Sequence, residues 1–262
     1  MATDVDNTEP VVFSDMTNSE LSKDDLLYAY SFVHDCISAP NTETFHKKIL
    51  DLSGFLGFEF VLYGYIQTIY TDRRDAVVIN LTNPQAWMKE YFSHQENNPL
   101  IDEIERQYTS GSLVGYCVWD QYNWTLSEEQ QQHIARRREF GLEYGCSIFV
   151  TSKKKDFSIN LSLAGADTIP DARTEAIVRM VIYSMLITKK RLLVQDQIDS
   201  LTEKEKEVAD KIAIGLPYKV IGQQIGVSEN TIKFHLKNIN NKLQTSNRHQ
   251  VAAVLLAERY LS

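Results

Sequence analysis

The chain has 262 residues and a formal charge of −8, from 27 Lys and Arg against 35 Asp and Glu, with 43% hydrophobic and 10% aromatic residues. That composition excludes collagen-like, disordered and disulfide-framework classes, and the length admits one large domain or two smaller ones. A net negative chain also argues against a protein that coats nucleic acid by bulk charge, because phosphate repels it at long range.

In chain order, the polar and acidic residues 1–22 are expected to be disordered. No basic residue precedes Lys23, and no apolar run reaches the length of a signal peptide or of a membrane span, so a soluble cytoplasmic protein with no membrane partner is expected. Apolar residues at three- and four-residue steps predict helices over 23–36 (Leu26, Leu27, Tyr30, Val33) and 42–52 (Phe45, Ile49, Leu52). Aromatic and β-branched residues predict strands over 58–69 and 76–81, and Pro84 opens a helix holding Trp87, Met88, Tyr91 and Phe92. Further strands are predicted over 116–119, 145–151 and 157–164, with a helix near 127–138. Ile169-Pro170-Asp171 introduces a long helix to about Gln197. Its apolar run from Ile177 to Leu186 reads equally as a dimer surface or as a core helix.

The expected architecture is an α+β sensor domain over 23–195, with helices flanking an antiparallel sheet. A linker over 196–200 joins it to an all-α, four-helix domain over 201–262. Splitting the charge supports the division: nine basic and six acidic residues follow Leu201, giving +3, while the first 200 residues carry −11. The cysteines Cys36, Cys117 and Cys146 lack CxxC spacing, so neither a disulfide framework nor a metal site is expected.

The C-terminal segment carries the sharpest local signals. Thr202 with Glu205 forms a capping box, Gly215 ends the first helix, a short second helix stops at Gly226, and Ser228 caps a third. In that third helix Ile232, Leu236, Ile239 and Leu243 share a buried face, while Asn230, Lys233, Phe234, Lys237 and Asn241 lie off it. Two short helices joined by a glycine turn form a helix-turn-helix, and amide and cationic side chains on the free face of its second helix suit the major groove. His235 is expected to pack rather than bind metal. The motifs Leu201-Thr-x-x-Glu205, Gly215-Leu-x-x-Lys219-x-Ile221 and Val227-Ser228-x-x-Thr231-Ile-Lys233-x-His235 are similar to the helix-turn-helix of the LuxR family, within the NarL/GerE group. The resemblance implies binding of double-stranded operator DNA through Asn230, Thr231, Lys233, Phe234 and Lys237. It also implies a last helix, 250–260, that pairs with a second subunit in a homodimer, with RNA polymerase a candidate further partner.

Fourteen of the 27 aromatic residues fall between Phe55 and Trp124, which reads as an aromatic core or as a cavity whose Trp and Tyr polar ends await a ligand. Pro84-x-x-Trp87-x-x-x-Tyr91, Trp119 and Phe140-Gly-Leu-x-x-Gly145 resemble the autoinducer-binding domain of LuxR-type quorum-sensing regulators. The resemblance implies an N-acyl-homoserine lactone as ligand and no cofactor. Trp87 would donate to the lactone carbonyl and Tyr91 would contact the amide carbonyl. Trp119 would line the lactone pocket, and Ser162 would donate near the amide carbonyl. An Asp accepts the amide N–H in that family. Asp102, flanked by Ile101 and Ile104, is the favoured equivalent, with Asn98 before Pro99 as the alternative and a signal other than a lactone as its consequence. Asn83 also stands where the family usually has Tyr. No phosphoacceptor pattern on a parallel sheet, GxSxG elbow or histidine pair is evident, so neither a response-regulator receiver nor an enzyme is expected.

Overall fold

The computed structural model describes residues 21–70, 73–122 and 124–261. The expectation of disorder over 1–22 therefore falls outside the described residues except at Leu21 and Ser22. Ser22 caps helix α1 (Lys23–Ile37): its hydroxyl accepts the Asp25 N–H at 3.1 Å while the Asp25 carboxylate accepts the Ser22 N–H at 2.9 Å. The Arg173 guanidinium also bonds Asp25, at 2.6 Å, and chiefly that contact holds the carboxyl down to about 2 against the effect of burial. Asn41 caps α2 (Thr42–Leu56) through its Oδ1, which accepts the Thr44 N–H at 2.9 Å.

Five strands follow along the chain: β1 (Phe60–Tyr70), β2 (Arg73–Asn80), β3 (Val114–Val118), β4 (Tyr144–Thr151) and β5 (Phe157–Gly165). They form one antiparallel sheet in the order β2-β1-β5-β4-β3. Because side chains alternate along a strand, the sheet presents two different faces. Val61, Tyr63, Cys146, Ile148, Val150, Ile159, Leu161 and Leu163 point to one side, where they meet Phe32 of α1, Phe45 and Ile49 of α2, and Ile177 and Val181 of α6 (Ala172–Asp199). On the other side Phe60, Leu62, Ser147, Ser162 and Ala164 lie under α3 (Gln85–Ser93), α4 (Pro99–Thr109) and α5 (Glu128–Glu139). That second layer holds the candidate site.

Two features differ from expectation, and a third decides between two readings. Helix α4 has no counterpart among the predicted elements, because its apolar residues Leu100, Ile101 and Ile104 make too short a stripe to register as a period. Helix α6 runs through Asp199 and is capped by Ser200, so most of the segment 196–200 is helix rather than linker; it contains neither Gly nor Pro to break the pattern. The run from Ile177 to Leu186 supplies core: Ile177, Val178, Val181, Ile182 and Met185 are fully buried. The outward side of the same helix carries Met180, Tyr183 and Ile187 instead.

Four helices complete the chain: α7 (Glu203–Ala213), α8 (Tyr218–Ile225), α9 (Glu229–Lys242) and α10 (Arg248–Leu261). The Thr202 capping box and the Ser228 cap are present, and Gly226 ends α8 at φ +74°, a conformation that glycine adopts without steric cost. Val208, Ile212, Ile221, Ile232, Ile239, Leu243 and Val251 form a separate small core. Lys242 ties the end of α9 to the start of α7, donating to the Ser200 carbonyl at 2.9 Å and to Glu205 at 2.7 Å. Burial pushes the Glu205 carboxyl up, but the Lys242 and Thr202 hydrogen bonds outweigh it and hold the group below the usual carboxylate range. Among the described residues no helix is long and apolar enough to cross a membrane.

Candidate ligand cavity and DNA-reading helix

Between the second face of the sheet and helices α3 to α5 lies a cavity of about 60 Å³. Its walls include Trp87, Tyr91, Trp119 and Ser162, so four of the five residues expected from sequence come together. Trp87 is 4% exposed, and its ring stands edge-on to Tyr91 at 6.2 Å and to His133 at 5.3 Å. No protein group accepts the Trp87 Nε1–H among the described residues. Burial raises the Tyr91 hydroxyl above the usual tyrosine range, partly opposed by its hydrogen bond with the Asn98 side chain.

Asp102 is a correction. It lies on the exposed side of α4, where its carboxylate accepts a hydrogen bond from Gln130 Nε2 at 2.8 Å, and it does not line the cavity. Asn98 does line it, with 7% exposure. The cause is local: Pro99 starts α4, so Asn98 sits before the helix with its Oδ1 accepting the Leu100 N–H at 3.1 Å, while Asp102 falls one turn in and faces outward.

The sheet side of the cavity carries a directional chain of hydrogen bonds. The indole N–H of Trp119, which can only donate, bonds Ser147 Oγ at 3.0 Å. Ser147 Oγ meets Ser162 Oγ at 2.8 Å, and the Ser162 hydroxyl donates to Asn160 Oδ1 at 3.3 Å. Ser162 thus lines the cavity with a hydroxyl that meets both Ser147 and Asn160. Ser147 and Ser162 are direct partners in the register of β4 and β5, which brings them together across 15 residues of chain. Gly145 allows the Trp119 ring to lie on the sheet, since a Cβ there would come within 2.7 Å of both that ring and the Leu163 carbonyl oxygen.

His133 and Arg137, one turn apart on α5, complete the wall and are absent from the residues that sequence reasoning proposes. The signal for them is indirect: α5 is almost wholly polar, so any face it buries must bury polar groups. Burial, followed by the neighbouring Arg137 charge, lowers the His133 pKa to about 4, so the ring is neutral at physiological pH. Arg137 stacks on Trp119 at 4.5 Å and donates to the Leu142 carbonyl at 2.9 Å and to Asp120 at 2.8 Å. Asp120 also accepts from Arg138 at 2.9 Å, and the two pairs help to hold it at φ +65°, a left-handed conformation that Asp tolerates better than most residues.

On α9, Asn230, Lys233, Phe234 and Lys237 are exposed, and Phe234 reaches 62%. Lys233 pairs with Glu229 at 2.9 Å. Thr231 is half-buried and belongs to the cap: its N–H donates to Ser228 Oγ at 3.1 Å, and the two hydroxyls lie 2.8 Å apart. His235 is half-buried beside Phe234.

A two-faced antiparallel sheet with a polar-headed cavity, followed by a helix-turn-helix, defines a ligand-responsive DNA-binding regulator. The family model described as the autoinducer binding domain matches residues 41–187, and that described as bacterial regulatory proteins, luxR family, matches 199–255. The chain belongs to the LuxR family of quorum-sensing transcription regulators. It is 27% identical to the transcriptional activator protein SolR of Ralstonia nicotianae over 239 residues, covering 87% of this chain and 95% of SolR. It is 25% identical to the transcriptional activator protein LuxR of Aliivibrio fischeri, covering 80% and 85% of the two chains. Its fold is similar to that of Escherichia coli SdiA in complex with octanoyl-rac-glycerol, with a TM-score of 0.50 at 19% identity over 92% of this chain and 98% of SdiA.

Proposed function

We propose that the protein is a dimeric transcription regulator that takes a small acyl-type signal in the Trp87–Trp119 cavity and reads operator DNA with α9. The observation that carries this reading is the cavity itself: an apolar-walled space where Trp87 offers an unused donor beside Tyr91 and Asn98. Its volume of about 60 Å³ corresponds to roughly two water molecules, whereas small-ligand pockets span roughly 300–1,000 Å³. The present space therefore matches a head group, and an acyl tail has to displace the apolar side chains around it and become part of the core. A ligand used in this way stabilises the folded sensor over looser states, which supplies the differential affinity a switch requires.

An N-acyl-homoserine lactone is the first candidate, with Trp87 and Tyr91 donating to its two carbonyls. Asn98 favours a second reading, a signal other than a lactone. A neutral amide oxygen already accepting the Leu100 N–H holds a ligand N–H about half as strongly as a carboxylate does. SdiA, solved with the acyl ester octanoyl-rac-glycerol, is a related sensor bound to a ligand without an amide.

Met180, Tyr183 and Ile187 lie at 41–46% exposure on the outer side of α6 at coiled-coil spacing, and α1 adds Tyr30 at 75%. This stripe supports pairing with a second copy and hence a two-fold operator. Contact with RNA polymerase at the promoter is part of the same reading.

Thermal unfolding of the full-length protein with acyl compounds of graded chain length tests it. A ligand at 100 times its dissociation constant adds about 2.7 kcal/mol if it binds only the native state. Failure of every acyl compound to stabilise the protein would refute the sensor assignment while leaving DNA binding intact.

A further inference from the structure

Resting on the reading that α9 enters operator DNA, the free side of that helix shows which base one of its residues selects. At about 100° per residue, Asn230, Phe234, Lys237 and Asn241 fall in one stripe along α9. It lies about 200° from the stripe of Ile232, Leu236, Ile239 and Leu243, which joins Val208 of α7 and Ile221 of α8 in the small core. All four members of the first stripe are exposed, so it points directly away from that core. Its polar members are also uncommitted. Lys233, beside the stripe, pairs with Glu229, and Lys242 is tied to Ser200 and Glu205. Asn230, Lys237 and Asn241 make no side-chain hydrogen bond or ion pair among the described residues.

Phe234 differs in kind from the rest of the stripe. It is 62% exposed, a phenyl ring between an amide one turn before it and an ammonium group one turn after. Its place in the second turn of α9 belongs to the N-terminal half, the part of a docked recognition helix that reaches base edges. The floor of the major groove is lined mainly by base donors and acceptors. A ring laid over those groups strips their water and returns no hydrogen bond, which is unfavourable. Thymine is the exception, because its C5-methyl is the one methyl group that unmodified bases present in that groove, and burying it against a ring is favourable.

We propose that Phe234 is a specificity-determining residue that reads a thymine in each operator half-site by packing its ring on the C5-methyl group. Asn230 precedes it by about 6 Å along the helix axis, which places the Asn230 amide within about two base pairs of that thymine when the axis follows the groove. An adenine edge is the bidentate partner of such an amide. The half-site therefore carries the thymine with an adenine close by, and Phe234 rather than a hydrogen bond selects the thymine.

The test uses the purified full-length protein and duplexes enriched from a randomised pool, selected with and without the acyl compounds of the thermal unfolding experiment. Each thymine of an enriched duplex is replaced in turn by uracil, which pairs identically and lacks only the methyl group, and binding is read by fluorescence anisotropy. Replacement at one position of a half-site should weaken binding by about fourfold, the value of one buried methyl group. At that position Phe234→Ala should bind the thymine and uracil duplexes equally, and Phe234→Leu should keep part of the preference. A 5-methylcytosine–guanine pair there should bind the wild type about fourfold more tightly than cytosine–guanine does, and Phe234→Ala should not distinguish the two. Because Phe234 is exposed, neither variant removes a core side chain. Wild-type binding that is indifferent to every uracil, or a uracil penalty that persists at the same position in Phe234→Ala, would overturn the methyl contact while leaving DNA reading by α9 in place. A pool from which no duplex is enriched would overturn both.

Discussion

Replacing Ser147 with Ala removes the second member of the chain from Trp119 through Ser147 and Ser162 to Asn160. Ser147 is 2% exposed and Trp119 8%, so the indole N–H loses its acceptor at a place water reaches poorly. An unmet buried donor costs about 1–3 kcal/mol, and we expect Ser147→Ala to lower stability by about 2 kcal/mol. In a Trp119→Phe background no N–H remains to be stranded, and the same replacement should cost about 1 kcal/mol or less. The expected coupling is thus about 1 kcal/mol, well above the error of a double-mutant cycle. Loss of the Arg137 stack on the indole occurs in both corners of the cycle that carry Trp119→Phe, and it cancels. Urea unfolding of the four proteins, followed by far-UV circular dichroism, measures the coupling. Costs that add to within about 0.3 kcal/mol would show that Ser147 does not satisfy the indole, and the directional chain would be wrong.

Other expectations follow from the same geometry. Gly145→Ala should destabilise by about 1–3 kcal/mol and displace Trp119, seen as a shift in tryptophan emission, because the new methyl group meets both the ring and a backbone oxygen at 2.7 Å. Gly54→Ala, on the exposed face of α2 with nothing within 4 Å, should instead stabilise by about 0.5–1 kcal/mol, read from thermal unfolding curves. His133 titrates near 6.5 when unfolded and at about 4 when folded, so the unfolded chain takes up its proton first as pH falls. Its contribution is intact above 6.5 and is lost between 6.5 and about 4, up to about 3 kcal/mol, and His133→Phe should flatten urea midpoints measured across that window. Lys237→Ala should reduce the slope of log affinity against log salt on duplex DNA by about 0.9, measured by fluorescence anisotropy; an unchanged slope would remove Lys237 from the phosphate contacts.

The C-terminal domain was legible from sequence because its determinants are local. Thr202 and Glu205 lie three residues apart, Ser228 caps the helix it precedes, and Ile232, Leu236, Ile239 and Leu243 recur along one face of a single helix. Most strands of the sensor could be read from their aromatic and β-branched content, and Trp87 with Tyr91 from a four-residue spacing that geometry converts into one face. The charge of −8 also resolves by position, with the positive segment being the one that presents Lys233 and Lys237.

What tertiary structure decided was contact across long stretches of chain and the direction of side chains on weakly patterned helices. The choice between Asn98 and Asp102 depended on where α4 begins, and α4 left too faint a period to be seen. The meeting of Ser147 with Ser162 required the register between β4 and β5, which no local signal encodes. The burial of Arg137 against Trp119 ran against the ordinary preference of a charged residue for water, and it is sustained by Asp120 and by carbonyls that the fold alone brings to it.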